Sequence, residues 1–289
     1  MRLFVILFGS FLVSYSQEKV LFFQTDWGNQ LSWDAFCERA KTAGYDGIEV
    51  WMPSDPDGQE MLKTALKKHG LLVNFLHGTN KGLSFQESLE NYKKGLEALM
   101  PWNPFLINCH TGSDFFTTEE NKAFIDAANT ISARYNIPVY HETHRGRFSY
   151  NLPDTNKYLA LIPDLKLTLD ISHWMVVHES LLEGKDELLT NILKRSHHIH
   201  ARIGHAEGPQ VNDPKAPEWA NALKRHLGIW EGIIRKGWKE HKGVFTVTTE
   251  FGPTDYMPAL PYTRVPVSDQ WQANVFMMEA LKERLKLNK

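Results

Sequence analysis

Leu165-Lys166-Leu167-Thr168-Leu169-Asp170-Ile171-Ser172 alternates with a period of two. Leu165, Leu167, Leu169 and Ile171 share one face, which needs an apolar cover, so Thr168 and Asp170 point the other way. The same parity returns twice further along. In His197–Ile203 it puts Ile199, Ala201 and Ile203 on the covered face and His198, His200 and Arg202 on the opposite one. In Val244–Phe251 it covers Phe245, Val247 and Phe251 and leaves Thr246, Thr248 and Glu250 opposite. Three strands, each apolar toward one side and ending in polar groups on the other, describe a sheet whose outer face is packed and whose inner face ends in a polar site.

Working outward, five more strand stretches precede these: Val20–Gln24, Gly47–Trp51, Leu72–Gly78, Phe105–Thr111 and Pro138–His144. Helical patterns separate or follow them at Ser32–Ala43, Gly58–His69, Ser84–Met100, Thr117–Tyr135, Thr155–Ile162, Lys185–Lys194, Glu218–Lys239 and Ser268–Leu285. Ser32 and Thr117 stand as caps before acids that suit the positive end of a helix. Strand followed by helix, eight times over, with no glycine-rich phosphate turn after the first strand, predicts a closed (β/α)8 TIM barrel instead of an open doubly wound sheet. The whole of residues 17–289 reads as that one domain, because no Pro/Gly/Ser-rich linker interrupts it.

Residues 1–16 read differently. Arg2, the apolar run Leu3–Val13 and Ser14-Tyr15-Ser16 have the order of a signal peptide, too short for a comfortable bilayer span, with cleavage expected after Ser16. Export to a periplasmic or secreted location follows, with no membrane attachment after cleavage. At 42% hydrophobic and 23% charged, with a formal net charge of −2, the composition is that of a globular protein with no long-range pull on nucleic acid. Cys37 and Cys109 fall in a predicted helix and a predicted strand and read as buried free thiols.

The chemistry collects at the strand ends. His141-Glu142-Thr143-His144 is polar on both faces, but Glu142 stands level with Asp170, His200 and Glu250, so four consecutive strands send three carboxylates and one imidazole to one mouth. Carboxylates that close repel unless a cation lies between them, and one divalent ion is the simplest choice. The donor set suits Mn, Mg, Co or Zn. His110 and His77 end strands four and three as candidate hydrogen-bonders to substrate hydroxyls. Glu49, with the inward parity of Trp51, is a candidate substrate contact, and Trp27 and Trp51 could stack on a sugar face. Long connections after strands seven and eight, Gly204–Pro217 and Gly252–Val267, are candidate substrate walls.

At these positions the chain resembles the sugar isomerase/epimerase superfamily of xylose-isomerase-like barrels. The matching pieces are Gly44-Tyr45-Asp46-Gly47-Ile48-Glu49, His141-Glu142, Asp170-Ile171-Ser172-His173, His198-Ile199-His200 and Thr249-Glu250-Phe251-Gly252. The resemblance implies metal ligation by Glu142, Asp170, His200 and Glu250, with His173 and Arg202 near the substrate. It also implies a substrate-contacting acid shortly after Glu142, where this chain has Thr143-His144-Arg145-Gly146-Arg147-Phe148 and no acid, His144 being the polar group nearest that place.

The expected activity is metal-dependent isomerisation or epimerisation of a non-phosphorylated sugar or keto-sugar, by proton abstraction next to a carbonyl with Glu142 and Glu250 as the acid–base pair. A keto-sugar or keto-glycoside lyase or hydratase shares that first step. An endonuclease-like barrel and a non-catalytic carbohydrate-binding barrel are the rivals from other classes; near-neutral charge counts against the first and three inward carboxylates against the second. The expected partner is a small sugar, not nucleic acid, and a homo-oligomer stays open. Protein isolated from its native host should begin at Gln17, which terminal mass spectrometry checks; an intact Met1 terminus would overturn the leader.

Overall fold

The computed structural model describes residues 19–80, 82–240 and 243–287. Eight strands follow one another in the order β1 (Lys19–Thr25), β2 (Gly47–Trp51), β3 (Leu72–Gly78), β4 (Ile107–His110), β5 (Val139–Glu142), β6 (Leu167–Leu169), β7 (Ser196–Ala201) and β8 (Val244–Thr249). Every neighbouring pair is parallel, and β8 pairs back onto β1 through Val20↔Phe245 and Phe23↔Thr248, so the sheet closes. The helices are α1 (Trp33–Thr42), α2 (Pro56–His69), α3 (Phe85–Leu99), α4 (Thr118–Tyr135), α5 (Leu152–Leu161), α6 (Ser172–Val177), α7 (Asp186–Arg195), α8 (Ala220–Glu240) and α9 (Gln270–Leu285). The leader read over residues 1–16 lies outside the described residues. Among the described residues no helix is long and apolar enough to cross a membrane.

Local chemistry sets the helix starts. The Ser32 hydroxyl accepts from the amide of Ala35 at 3.3 Å. Thr117 and Glu120 close a reciprocal capping box, at 3.2 and 2.9 Å. Helix α5 begins three residues earlier than the sequence pattern suggests, because the Asn151 side chain caps the amide of Asp154 at 2.7 Å. The sixth strand stops at Leu169 instead of running to Ser172. There Asp170 Oδ1 accepts from both the amide (3.0 Å) and the hydroxyl (2.5 Å) of Ser172, and the chain turns at once into α6, a short helix the sequence pattern missed.

The hydrophobic core is the sleeve between strands and helices. Ile48, Val50, Phe75, Ile107, Leu167, Leu169, Ile199 and Val247 face it from the sheet, and Leu62, Leu96, Phe124, Ile192, Trp230 and Met277 meet them from the helices. Cys37 and Cys109 are buried in this sleeve as free thiols. The inside of the barrel is different. Glu49, Asn74, Asn108, Thr168, His198, His200, Thr246 and Thr248 fill it, all buried. Apolar side chains share the interior, and at its floor Phe23 lies over Gly47; a Cβ there would come within 2.5 Å of the Phe23 ring and 2.6 Å of the Leu72 carbonyl oxygen. Gly47→Ala therefore forces ring and backbone apart and should destabilise the barrel by about 1–3 kcal/mol, as overpacking of a closed core does. Urea unfolding followed by circular dichroism checks it, and an unchanged midpoint would contradict the close packing of this floor.

Candidate metal centre

The carboxyl ends of β5 to β8 bring four side chains together. Glu142 is the last residue of β5, Asp170 follows β6, His200 is the penultimate residue of β7, and Glu250 follows β8. One donor atom from each lies within 4.8 Å of the others, and all four residues are buried. Buried polar atoms are normally paired. Here Glu142 Oε1 has no hydrogen-bond partner, and His200 Nδ1 and Glu250 Oε2 make no well-formed hydrogen bond but face each other at 3.1 Å. These under-satisfied oxygen and imidazole atoms turned toward one point fit a divalent cation.

The surrounding residues hold these groups in place. Asn108 Nδ2 donates to Glu142 Oε2 at 2.6 Å and His110 Nε2 donates to the same oxygen at 2.9 Å, which leaves Oε1 facing the cluster. Asp170 has Oδ1 occupied by Ser172 and Oδ2 paired with Arg202 Nη2. Arg202 also reaches the Ser172 hydroxyl through Nε (3.2 Å), His173 Nε2 through Nη2 (3.0 Å) and Glu250 Oε2 through Nη1 (3.5 Å). One fully buried guanidinium thus braces two carboxylates and a histidine.

Burial alone would raise every carboxyl in this space. For Glu142 the imidazoles of His110 and His200 outweigh burial and hold it well below the usual carboxylate range. For Asp170 burial wins over the pull of Arg202, helped by the like charges of Glu250 and Glu142, and its pKa rises. Burial opposes a charge on His200, but Glu250, Glu49 and Glu142 overcome it and raise its pKa well above normal. Without a cation between them, the carboxylates draw a proton onto His200.

Of the substrate contacts expected from sequence, His110, His144, His173 and Trp51 line one wall of the mouth. Their rings run Trp51–His110 (5.7 Å), His110–His144 (4.7 Å) and His144–His173 (3.9 Å), centroid to centroid. Two expectations are corrected. His77 does not reach the mouth: Asn74, Leu76 and Gly78 take the inward parity of β3, so His77 faces outward and its Nε2 donates to the Tyr92 carbonyl on α3 at 2.9 Å. Glu49 does point inward but sits below the cluster, fully buried. Its Oε1 accepts from His200 Nε2 at 2.6 Å and its Oε2 from Thr248 Oγ1 at 2.9 Å, so both oxygens are engaged below the cluster, one of them by His200. Its carboxyl stays ionised, since His200 and His198 outweigh the effect of burial.

Sequence reasoning missed two residues at the mouth. Tyr256, on the connection after β8, packs edge-on against Trp27 at 4.7 Å and lies under the guanidiniums of Arg202 (4.8 Å) and Arg145 (5.2 Å). Asp26 follows β1, and burial pushes its carboxyl up to about 7. Its position directly after Gln24-Thr25, at a strand end, was the available signal. Arg147, in the loop after β5, is buried and spends its Nη1 on the carbonyls of Thr79 (3.0 Å) and Gly112 (3.3 Å).

A closed eight-stranded barrel with an oxygen- and imidazole-lined cluster that could hold a cation at its carboxyl end is the architecture of TIM-barrel enzymes, whose sites lie at that end. The chain belongs to the xylose isomerase-like TIM barrel family, whose model matches residues 37–242. No curated protein matches it at the level of sequence. Among solved structures it is similar to the 3-keto-D-glucoside 4-epimerase of E. coli (17% identity, 92% of this chain and 100% of that one, TM-score 0.60). It is also similar to a probable 3-DHS dehydratase of petrobactin synthesis from Bacillus anthracis (16%, 91% and 99%, 0.59). A third likeness is to a xylose isomerase-like TIM barrel protein of Mycobacterium smegmatis in complex with magnesium (10%, 92% and 97%, 0.61). At these identities the likeness is one of fold.

The bond from His200 to Glu49 fixes which imidazole nitrogen faces the cluster, the usual part of an outer partner to a ligating histidine. Glu49→Gln should therefore lower divalent-metal affinity by roughly tenfold or more while the circular dichroism spectrum is kept. His197, on the outer face of β7 against Tyr140 (5.5 Å), is the control: His197→Ala should leave metal content near wild type. Elemental analysis after dialysis reads both, and metal lost from the control but kept in Glu49→Gln would refute the arrangement.

Proposed function

We propose that the protein is a divalent-metal-dependent sugar isomerase or epimerase that removes a proton from the carbon next to a carbonyl of a non-phosphorylated sugar or keto-sugar. The observation that carries this reading is the convergence of buried donor atoms of Glu142, Asp170, His200 and Glu250 on one point, Glu142 Oε1 among them with no hydrogen-bond partner. These four residues would hold the cation. When bound, it supplies electrostatic stabilisation for the negative charge that grows on the substrate oxygen as the proton leaves.

The protein's own groups do the rest. Two imidazoles hold the Glu142 carboxyl well below the usual range, and Asn108 and His110 fix its orientation through Oε2, so the carboxylate stands at the edge of the cluster as the group that takes the proton. Glu250 comes from β8, three strands further round the barrel. It can deliver a proton to the opposite face of the same carbon, giving the epimer, and delivery to the neighbouring carbon gives the isomer. Arg202 keeps Asp170 and Glu250 apart as charges shift, and the rings of His173, Tyr256 and Trp27 keep water from that side. The leader expected over residues 1–16 supports a substrate without phosphate, since sugar phosphates are mainly cytoplasmic.

A keto-sugar lyase or hydratase is the second reading, and one observation favours it. The stretch Thr143–Phe148 carries no acid, whereas Asp26, with its raised carboxyl, stands at the mouth on the β1 side, where a departing oxygen would need a proton. Both readings begin with the same abstraction. Turnover of keto-sugars or keto-glycosides by metal-loaded protein in heavy water should place deuterium on the carbon next to the carbonyl. Glu142→Gln and Glu250→Gln should each slow turnover by at least about a hundredfold, with metal content measured alongside. Product identification by NMR separates the two readings. Full retention of the original hydrogen in the product would remove both and point to a hydride shift.

A further inference from the structure

The mouth of the barrel is uneven. On one side the chain runs from the end of β7 at Ala201 to the helical turn at Pro217, and from the end of β8 at Thr249 to α9 at Gln270. On the other side it needs only Met52–Asp55 to pass from β2 to α2, and the residues between Gly78 and Phe85 to pass from β3 to α3. The wall is therefore high over β7 and β8 and low over β2 and β3. The low side leaves room for the free end of a substrate seated on the Glu142–Glu250 cluster.

Trp51 stands on that side. It is the last residue of β2 and shares the inward parity of Glu49, one layer higher. Its indole lies across Gly78 on the neighbouring strand: a Cβ at Gly78 would come within 3.3 Å of Trp51 Cη2 and 3.1 Å of His110 Cβ. Glycine there is what lets the ring reach over β3 and set its edge against His110, whose Nε2 is bonded to Glu142. The indole takes no part in the hydrophobic core and is 46% exposed. Trp27, by contrast, is committed to the high wall, edge-on to Tyr256 with Arg202 over its face. One large aromatic face at the low rim, one residue removed from the cluster and supported by a deliberate gap in the next strand, is the kind of surface on which a second ring stacks.

We propose that Trp51 is a stacking platform for a cyclic group attached to the reacting sugar, so that the preferred substrates are glycosides carrying a second ring, an aryl group or another sugar, over free or methylated monosaccharides. The proposal rests on the reading of the four-residue cluster as the reacting centre. Trp51 contributes binding, not chemistry, and acts as a specificity residue.

The test uses non-reacting probes on the full, metal-loaded mature protein: methyl β-glucoside, phenyl β-glucoside and cellobiose, titrated by calorimetry. Wild type should bind the phenyl glucoside, cellobiose or both about three- to tenfold more tightly than the methyl glucoside, the factor that one aromatic contact supplies. Comparing the two ring-bearing probes tells which kind of ring the platform prefers. Trp51→Ala should erase the gap by weakening the ring-bearing probes to the level of the methyl glucoside, with the metal content unchanged; Trp51→Phe should keep part of it. Gly78→Ala, which pushes the indole aside without removing it, should narrow the gap as well. Equal affinities in wild type, no measurable binding of any probe, or a gap that survives Trp51→Ala would each overturn the platform. Loss of deuterium incorporation with the gap intact would instead remove the proposed reaction and leave the platform standing.

Discussion

Everything at the top of this barrel depends on the need to offset buried negative charge. Glu49, Glu142, Asp170 and Glu250 are all buried, with Arg202 as the one guanidinium among the described residues in contact with that group and with imidazoles whose charge is conditional. Burying a carboxylate without a partner costs several kcal/mol, more than most single packing interactions return. The fold meets this by bonding three of the four to donors, Asn108 and His110 for Glu142, Ser172 and Arg202 for Asp170, His200 and Thr248 for Glu49, while Glu250 shares Arg202 and His200 at 3.5 and 3.1 Å. What remains unpaired faces a single point. The charge imbalance and the orphaned atoms are the same fact seen in energy and in geometry.

That constraint also explains why the barrel is polar inside. Aliphatic layers would fill the interior of most such barrels, but here Glu49 must be ionised to direct His200, and an ionised carboxylate needs donors below it as well as above. Thr246, Thr248, His198 and Asn74 are those donors or their neighbours. The aliphatic packing that holds the molecule together is displaced outward, into the sleeve between sheet and helices, where it also locks the strand registers that aim the four cluster residues.

Much of this could be read in the residues. Strands β6, β7 and β8 alternate cleanly because their outer faces are apolar and their inner faces are not, so parity alone placed Asp170, His200 and Glu250 on one side. It failed at β3, where Leu72-Val73-Asn74-Phe75-Leu76-His77-Gly78 is apolar on both faces and a terminal histidine looks as inward as outward. It was incomplete at Glu49, because parity gives the face of a strand and not its depth. Depth follows from the stagger of neighbouring strands, seen in the pairing of Glu49 with Thr25 and Asn74. Tyr256 and Asp26 lie in connections, which have no period to read, and α6 starts from a side-chain bond within two residues that no apolar pattern announces.

The strut from Glu49 to His200 joins residues 151 apart in the chain, and its companion to Thr248 spans 199. The cluster therefore has no local precursor; no fragment short of the last strand assembles it. A nascent or translocating chain carries its ligands scattered, and the site comes into being only as β8 docks onto β1. On the proposed reading of the cluster as a metal centre, an ion can be held only once the barrel has closed. The donor set suits several divalent metals, so the supply at the moment of closure would decide which one is held.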